Sequence, residues 1–114
     1  MHNYVVEDAF AGPGEHRMIY KGSVEAKNQF DRVCHEYRFE DQRNGTQASL
    51  RTGTRFLPDT ELSKLLESMF ATTFKTGETV DPTTLVGKEF DVTIKEVNGF
   101  TKVTKVSPVA GGDA

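Results

Sequence analysis

Apolar and polar side chains alternate in five separate segments of this chain, and that period of two restricts it to a fold built from half-buried strands. From Glu15 to Lys27 one face carries Met18, Tyr20, Gly22, Val24 and Ala26, and the other carries Arg17, Lys21, Ser23, Glu25 and Lys27. Gly22 is the place for a bulge or bend. From Phe30 to Glu40, Val33, His35, Tyr37 and Phe39 oppose Arg32, Cys34, Glu36 and Arg38. After a polar turn containing Asn44-Gly45, the run Gln47 to Phe56 sets Ala48, Leu50 and Thr52 inward and Ser49, Arg51 and Gly53 outward. Within Leu85 to Val97, Phe90, Val92 and Ile94 alternate with Asp91, Thr93 and Lys95, and Phe100 to Ser107 forms the return strand. Between these two lies Asn98-Gly99, a pair that accepts positive φ at both positions and so specifies a two-residue hairpin turn.

One segment departs from the alternation. Pro58-Asp59-Thr60-Glu61 combines a proline just outside a helix, a capping side chain and an acid in the first turn. Leu62, Leu65, Leu66, Met69 and Phe70 follow at helical spacing. Thr72 to Thr79, with Gly77, ends the helix, and Asp81-Pro82 opens a turn. The expected fold is mostly β with one α-helix, in the order β-β-β-α-β-β. An open five-stranded sheet leaves two edges exposed to pairing with other chains, whereas closure into a small barrel plugged by the helix removes them. The expectation is therefore a five-stranded Greek-key barrel of OB type. A helix laid on an open antiparallel sheet is the alternative. At 114 residues the chain fits one domain, expected over 1–108. Residues 1–14 read as an N-terminal arm or edge strand ending at Gly12-Pro13-Gly14, and 109–114 as a flexible tail.

Little in the sequence points to catalysis. Cys34 is the single cysteine, which excludes an internal disulfide framework and a cysteine-based zinc site. Adjacent strand residues face opposite ways, so Cys34 and His35 do not form a nucleophile–base pair. His2, His16 and His35 show no ligand spacing, and no glycine loop has phosphate-cradling form. Neither an enzyme activity, a metal nor a cofactor is expected. No run approaches the roughly 18 apolar residues of a membrane span, and Met1-His2-Asn3-Tyr4 does not begin a secretory signal, so the expected setting is cytoplasmic, without a membrane partner. The helix stripe is expected to pack on the barrel end, and any part left uncovered is the place for a homo-oligomer contact.

A binding role is carried by basic and aromatic residues interleaved on the middle strands. Single-strand binders combine a cationic groove along the phosphates with rings on which bases stack. Lys27, Phe30, Arg32, Arg38, Arg51 and Arg55 are the candidates on the outer face of the second and third strands, and Phe100 beside the hairpin turn is a further ring. In a meander, Arg32 or Arg38 is expected opposite Arg51 or Arg55, a like-charge crowding that calls for an anion or for interspersed acids. Glu36, between Arg32 and Arg38, offers the plainer account of a salt-bridged solvent face. The formal charge of −3 confines any phosphate contact to a local patch.

Lys27-Asn28-Gln29-Phe30, the alternation through Tyr37-Arg38-Phe39, and Leu57-Pro58-Asp59 before a Leu-rich helix form a distinctive series. Leu85-Val86-Gly87-Lys88, Asn98-Gly99-Phe100 and Val106-Ser107-Pro108 continue it. Together, over about Glu15 to Pro108, they resemble phage and mobile-element replication proteins with OB-folds, which are similar to single-stranded DNA-binding and replication protein A-like domains. The resemblance implies binding of single-stranded DNA or RNA, largely independent of sequence, in replication or recombination, through Phe30, Arg32, Arg38, Arg51 and Arg55. The chain ends Gly111-Gly112-Asp113-Ala114, without the strongly acidic tip of bacterial single-strand binders. A protein-interaction or assembly module on the same scaffold, without nucleic-acid binding, is the competing function and suits the acidic balance.

Overall fold

The computed structural model of the chain describes residues 10–109. Five strands are present: β1 (Gly14–Lys27), β2 (Val33–Glu40), β3 (Gln47–Thr52), β4 (Glu89–Val97) and β5 (Phe100–Pro108). A helix, α1 (Glu61–Phe70), and a single 3₁₀ turn, Pro82–Leu85, separate β3 from β4. The strands form one antiparallel sheet in the order β3-β2-β1-β4-β5. The mostly-β composition and the element order match the alternation in the sequence.

β1 organises the sheet because two neighbours share its 14 residues. Its first part, Gly14 to Ile19, pairs with β4, and Ile19 to Lys27 pairs with β2. The register shifts between Tyr20 and Gly22, at the glycine with φ +109°, which is the bend expected there. That bulge also corrects one expectation. An extra residue reverses the phase of a strand, so beyond it Ser23 lies opposite Tyr37 and Val24 opposite Glu36. Val24 therefore leaves the face of Met18 and Tyr20 and is 40% exposed. Val33, expected inward, is also exposed, at the hairpin end of β2 where it pairs with Lys27 of β1.

The core lies between the inner face of the sheet and α1. Met18, Tyr20, Tyr37, Phe39, Phe90, Val92, Ile94, Val103 and Val106 contribute from the strands, and Leu62, Leu65, Leu66 and Met69 from the helix. The rings of Tyr20 and Phe39 stand 5.4 Å apart, and Phe39 meets Phe90 edge-on at 6.3 Å. Thr60 caps α1, its side-chain oxygen accepting from the Ser63 amide at 3.2 Å, and Ala71 ends it in the left-handed region at φ 55°. Asp81 caps the 3₁₀ turn by accepting from the Thr83 amide at 3.0 Å.

Barrel closure, expected from the sequence, is not made by the backbone: β3 and β5 are the edges of the sheet, and no ladder joins them among the described residues. The two edges come close to one another, and α1 packs along β5, with the Ser68 hydroxyl donating to the Val106 carbonyl. The helix thus supplies side-chain burial at the seam where strand pairing stops. The start of β3 is covered by a parallel bridge from Phe10, and the Ala11 amide donates to the Gln47 carbonyl at 2.8 Å. Of the expected arm and tail, residues 1–9 and 110–114 lie outside the described residues. No helix among the described residues is long and apolar enough to cross a membrane.

Candidate nucleic-acid interface

The β2–β3 turn decides which charges meet. The Asp41 amide donates to the Thr46 carbonyl at 2.8 Å, and the Gly45 amide to the Asp41 carbonyl at 2.7 Å. The buried Asp41 carboxylate accepts from the Arg43 backbone amide at 2.9 Å and from its guanidinium at 3.2 and 3.3 Å. These bonds hold the carboxyl below the usual carboxylate range. The turn sets a register in which Glu36 lies opposite Arg51, and Arg38 opposite Ser49. Arginine facing arginine across the strands, as expected from the sequence, is therefore not formed; an acid and a serine take those positions.

Glu36 binds both basic side chains of this face. Its carboxylate accepts from Arg38 Nε at 2.7 Å and from Arg51 Nε at 3.1 Å. The Glu36 side chain is only 12% exposed, against 57% and 52% for the two arginines. Hydrogen bonding to Arg38, with Arg51 adding to it, holds the Glu36 carboxyl below its ordinary value. Arg51 also reaches across β2 to the Lys27 carbonyl at 3.3 Å, so its guanidinium is anchored at two points. The salt-bridged solvent face read from the sequence is present here, and its arginines keep outward N–H groups.

Arg32 and Arg55 are differently placed. Both were expected on strands, but Arg32 precedes β2 and Arg55 follows β3, because the hairpin loop and the break at Gly53 end the ladders there. Neither guanidinium makes an ion pair or hydrogen bond among the described residues. Both line an open groove of about 590 Å³ with Arg51, Asn28, Thr54, Leu57 and Thr60. Glu61 is the one acid among its lining residues. Three of the seven candidates thus share one concavity, between the β1–β2 hairpin and the β3–α1 connection.

Phe30 occupies the loop that borders this groove and is 71% exposed. Asn28 shapes that loop, its side-chain oxygen accepting from the Phe30 amide at 2.9 Å and the Arg32 amide at 3.1 Å. Lys27 pairs with Asp31 at 3.4 Å. Arg38 lies in a separate depression with Lys21, Gly22, Val24 and Glu40. Phe100 stands at the β4–β5 hairpin, 77% exposed and apart from the groove.

Cys34 is buried and His35 half-buried on opposite faces of β2, and no three metal-binding side chains come together among the described residues. The sequence reading missed one basic group: Lys95, Lys102 and Lys105 on the β4–β5 hairpin. The signal for it was in plain view, since a two-residue turn at Asn98-Gly99 makes Lys95 face Lys102 by counting alone. No protein-family model and no curated protein sequence matches this chain.

Proposed function

We propose that this chain is an OB-type Greek-key module that binds single-stranded nucleic acid, DNA foremost, largely without sequence preference, in replication or recombination. The observation that carries the reading is the convergence of Arg32, Arg51 and Arg55 on one open groove beside the solvent-exposed ring of Phe30. A flexible polyanion gains from cations placed along a groove and from a ring that stacks any base. The sheet order, with β1 shared between β2 and β4 and the helix at the β3–β5 seam, supports the OB assignment. Beside its pair with Glu36, Arg51 donates to the Lys27 carbonyl, a neutral contact that orients the guanidinium over the groove.

Fluorescence anisotropy of a labelled oligothymidine across a salt series tests this. Affinity is expected to fall steeply as salt rises, and Arg51→Ala with Arg55→Ala to flatten the log–log slope by about 1.4, two phosphates at about 0.7 each. Absence of binding at about 100 µM protein and low salt refutes the proposal. A second reading, an assembly module, is favoured by the unladdered β3 and β5 edges and the net charge of −3. It predicts self-association or partner capture in light scattering, with no salt-sensitive oligonucleotide binding.

A further inference from the structure

Leu57 lines a second concavity besides the arginine groove, and this one carries the opposite charge. It encloses about 460 Å³, with Asp59, Glu67 and Glu78 set against a single cation, Lys75. Its apolar wall is an edge-to-face series of rings: Phe56 meets Phe74 at 5.8 Å, and Phe74 meets Phe70 at 5.7 Å. Phe74 packs on the core and so anchors the series, while Phe56 is 40% and Leu57 42% exposed. The segment after α1 is held in place as Glu67 accepts from the Phe74 amide at 3.2 Å and Glu78 from the Lys75 amide at 2.9 Å. None of the three carboxylates makes an ion pair among the described residues. Rings beside unpaired acids suit an aromatic group flanked by cations.

The β4–β5 hairpin of the same chain presents that combination. Val97 pairs with Phe100 and Lys95 with Lys102, so alternation puts these four side chains on one face, in two rungs about 7 Å apart. Ile94 and Val103 lie on the opposite face and are buried, and Glu96, paired with Thr101, shares that side. The outer face therefore holds two lysines and no acid. Neither lysine makes an ion pair among the described residues. Phe100, at 77%, is the most exposed of their large apolar side chains, so the hairpin does not fill the groove of its own chain.

We infer that the chain docks on a second copy of itself, the β4–β5 hairpin of one copy entering the Phe56–Phe74 groove of the next. Phe100 continues the edge-to-face series, and Lys95 with Lys102 meets the carboxylates of Asp59, Glu67 and Glu78. Repulsion across the lysine rung is thereby offset by acids. The two surfaces are different patches, so the contact is head-to-tail and leaves a hairpin at one end and a groove at the other for further copies. The docking needs no nucleic acid; on a bound strand it makes successive copies cooperative.

Sedimentation velocity of the full chain at low salt is expected to show a mass that rises above the monomer's with concentration and falls back as salt is added. Lys95→Glu with Lys102→Glu, and separately Asp59→Asn with Glu78→Lys, should each weaken self-association roughly 100-fold. All four positions are exposed, so far-ultraviolet circular dichroism should not change. An equimolar mixture of the two variants should associate again, since each retains the half that the other lacks, a recovery that misfolded chains do not give. Three results overturn the docking: a monomer up to about 1 mM, a mixture that stays monomeric, or association that survives both charge changes, as pairing of the β3 or β5 edges does. Arg32, Arg51 and Arg55 lie outside both surfaces, so oligothymidine anisotropy judges the strand-binding reading separately.

Discussion

Replacing Glu36 by Gln should move stability and nucleic-acid affinity in opposite directions. Glu36 is the shared acceptor of Arg38 and Arg51, at 2.7 and 3.1 Å, and its side chain is 12% exposed. Glutamine keeps the shape and one acceptor oxygen but removes the charge. The arginines are more than half exposed, so each ion pair is discounted to the surface range, about 0.2–1 kcal/mol, and losing both costs about 1 kcal/mol in all. For a domain of this size that corresponds to a fall in Tm of roughly 4–8 °C. The same change removes the anion that competes with phosphate for two guanidinium groups and takes the net charge from −3 to −2. Arg51 already engages a phosphate in the groove, so if the freed Arg38 then engages one as well, the salt slope steepens by about 0.7. Thermal denaturation followed by circular dichroism and oligothymidine anisotropy between low and moderate salt read the two effects on one sample. A lower Tm with unchanged or weaker binding would refute the reasoning, because Arg38 and Arg51 would then be surface ion-pair partners and nothing more.

Three further outcomes are expected. Phe30→Ala should weaken oligothymidine binding by about 1–3 kcal/mol while Tm stays within the scatter of a surface change, since the ring is 71% exposed. Burial pushes the Tyr37 phenol up to about 12, so its stabilising share is complete below pH 10 and drains away as pH rises toward 12. Over those two units the loss is roughly 2–3 kcal/mol, read by urea denaturation at successive alkaline pH values, and Tyr37→Phe should reduce that dependence to the part carried by Tyr20, whose phenol burial also raises. Met69→Ala should cost about 2–5 kcal/mol in denaturant unfolding, because the side chain is 2% exposed in the helix–sheet core; a loss below about 1 kcal/mol would show that α1 is not docked on the sheet.

Local patterns in the sequence were enough for the elements and most of the core. Alternation is a property of one strand, capping of one helix end, and the Asn98-Gly99 turn of two residues whose φ values are 52° and 84° in the structure. Each is decided by neighbours in the chain, so the five strands, the capped helix start at Pro58-Asp59-Thr60-Glu61 and the inward set Tyr37, Phe39, Ala48, Leu62, Leu65 and Leu66 were all legible beforehand. Even the pairing of Lys95 with Lys102 required only counting back from a turn.

Three features were settled by contacts between segments distant in sequence. The bulge at Gly22 turned Val24 outward, because phase beyond an inserted residue follows the partner strand and not the chain's own alternation. The β2–β3 turn put Glu36, not an arginine, opposite Arg51, which depends on a register that no one strand encodes. The groove that collects Arg32, Arg51 and Arg55 exists because the β1–β2 loop and the β3–α1 connection are brought side by side. A phosphate site needs charges from separate segments at one place, and convergence of that kind is set when the sheet bends around the helix.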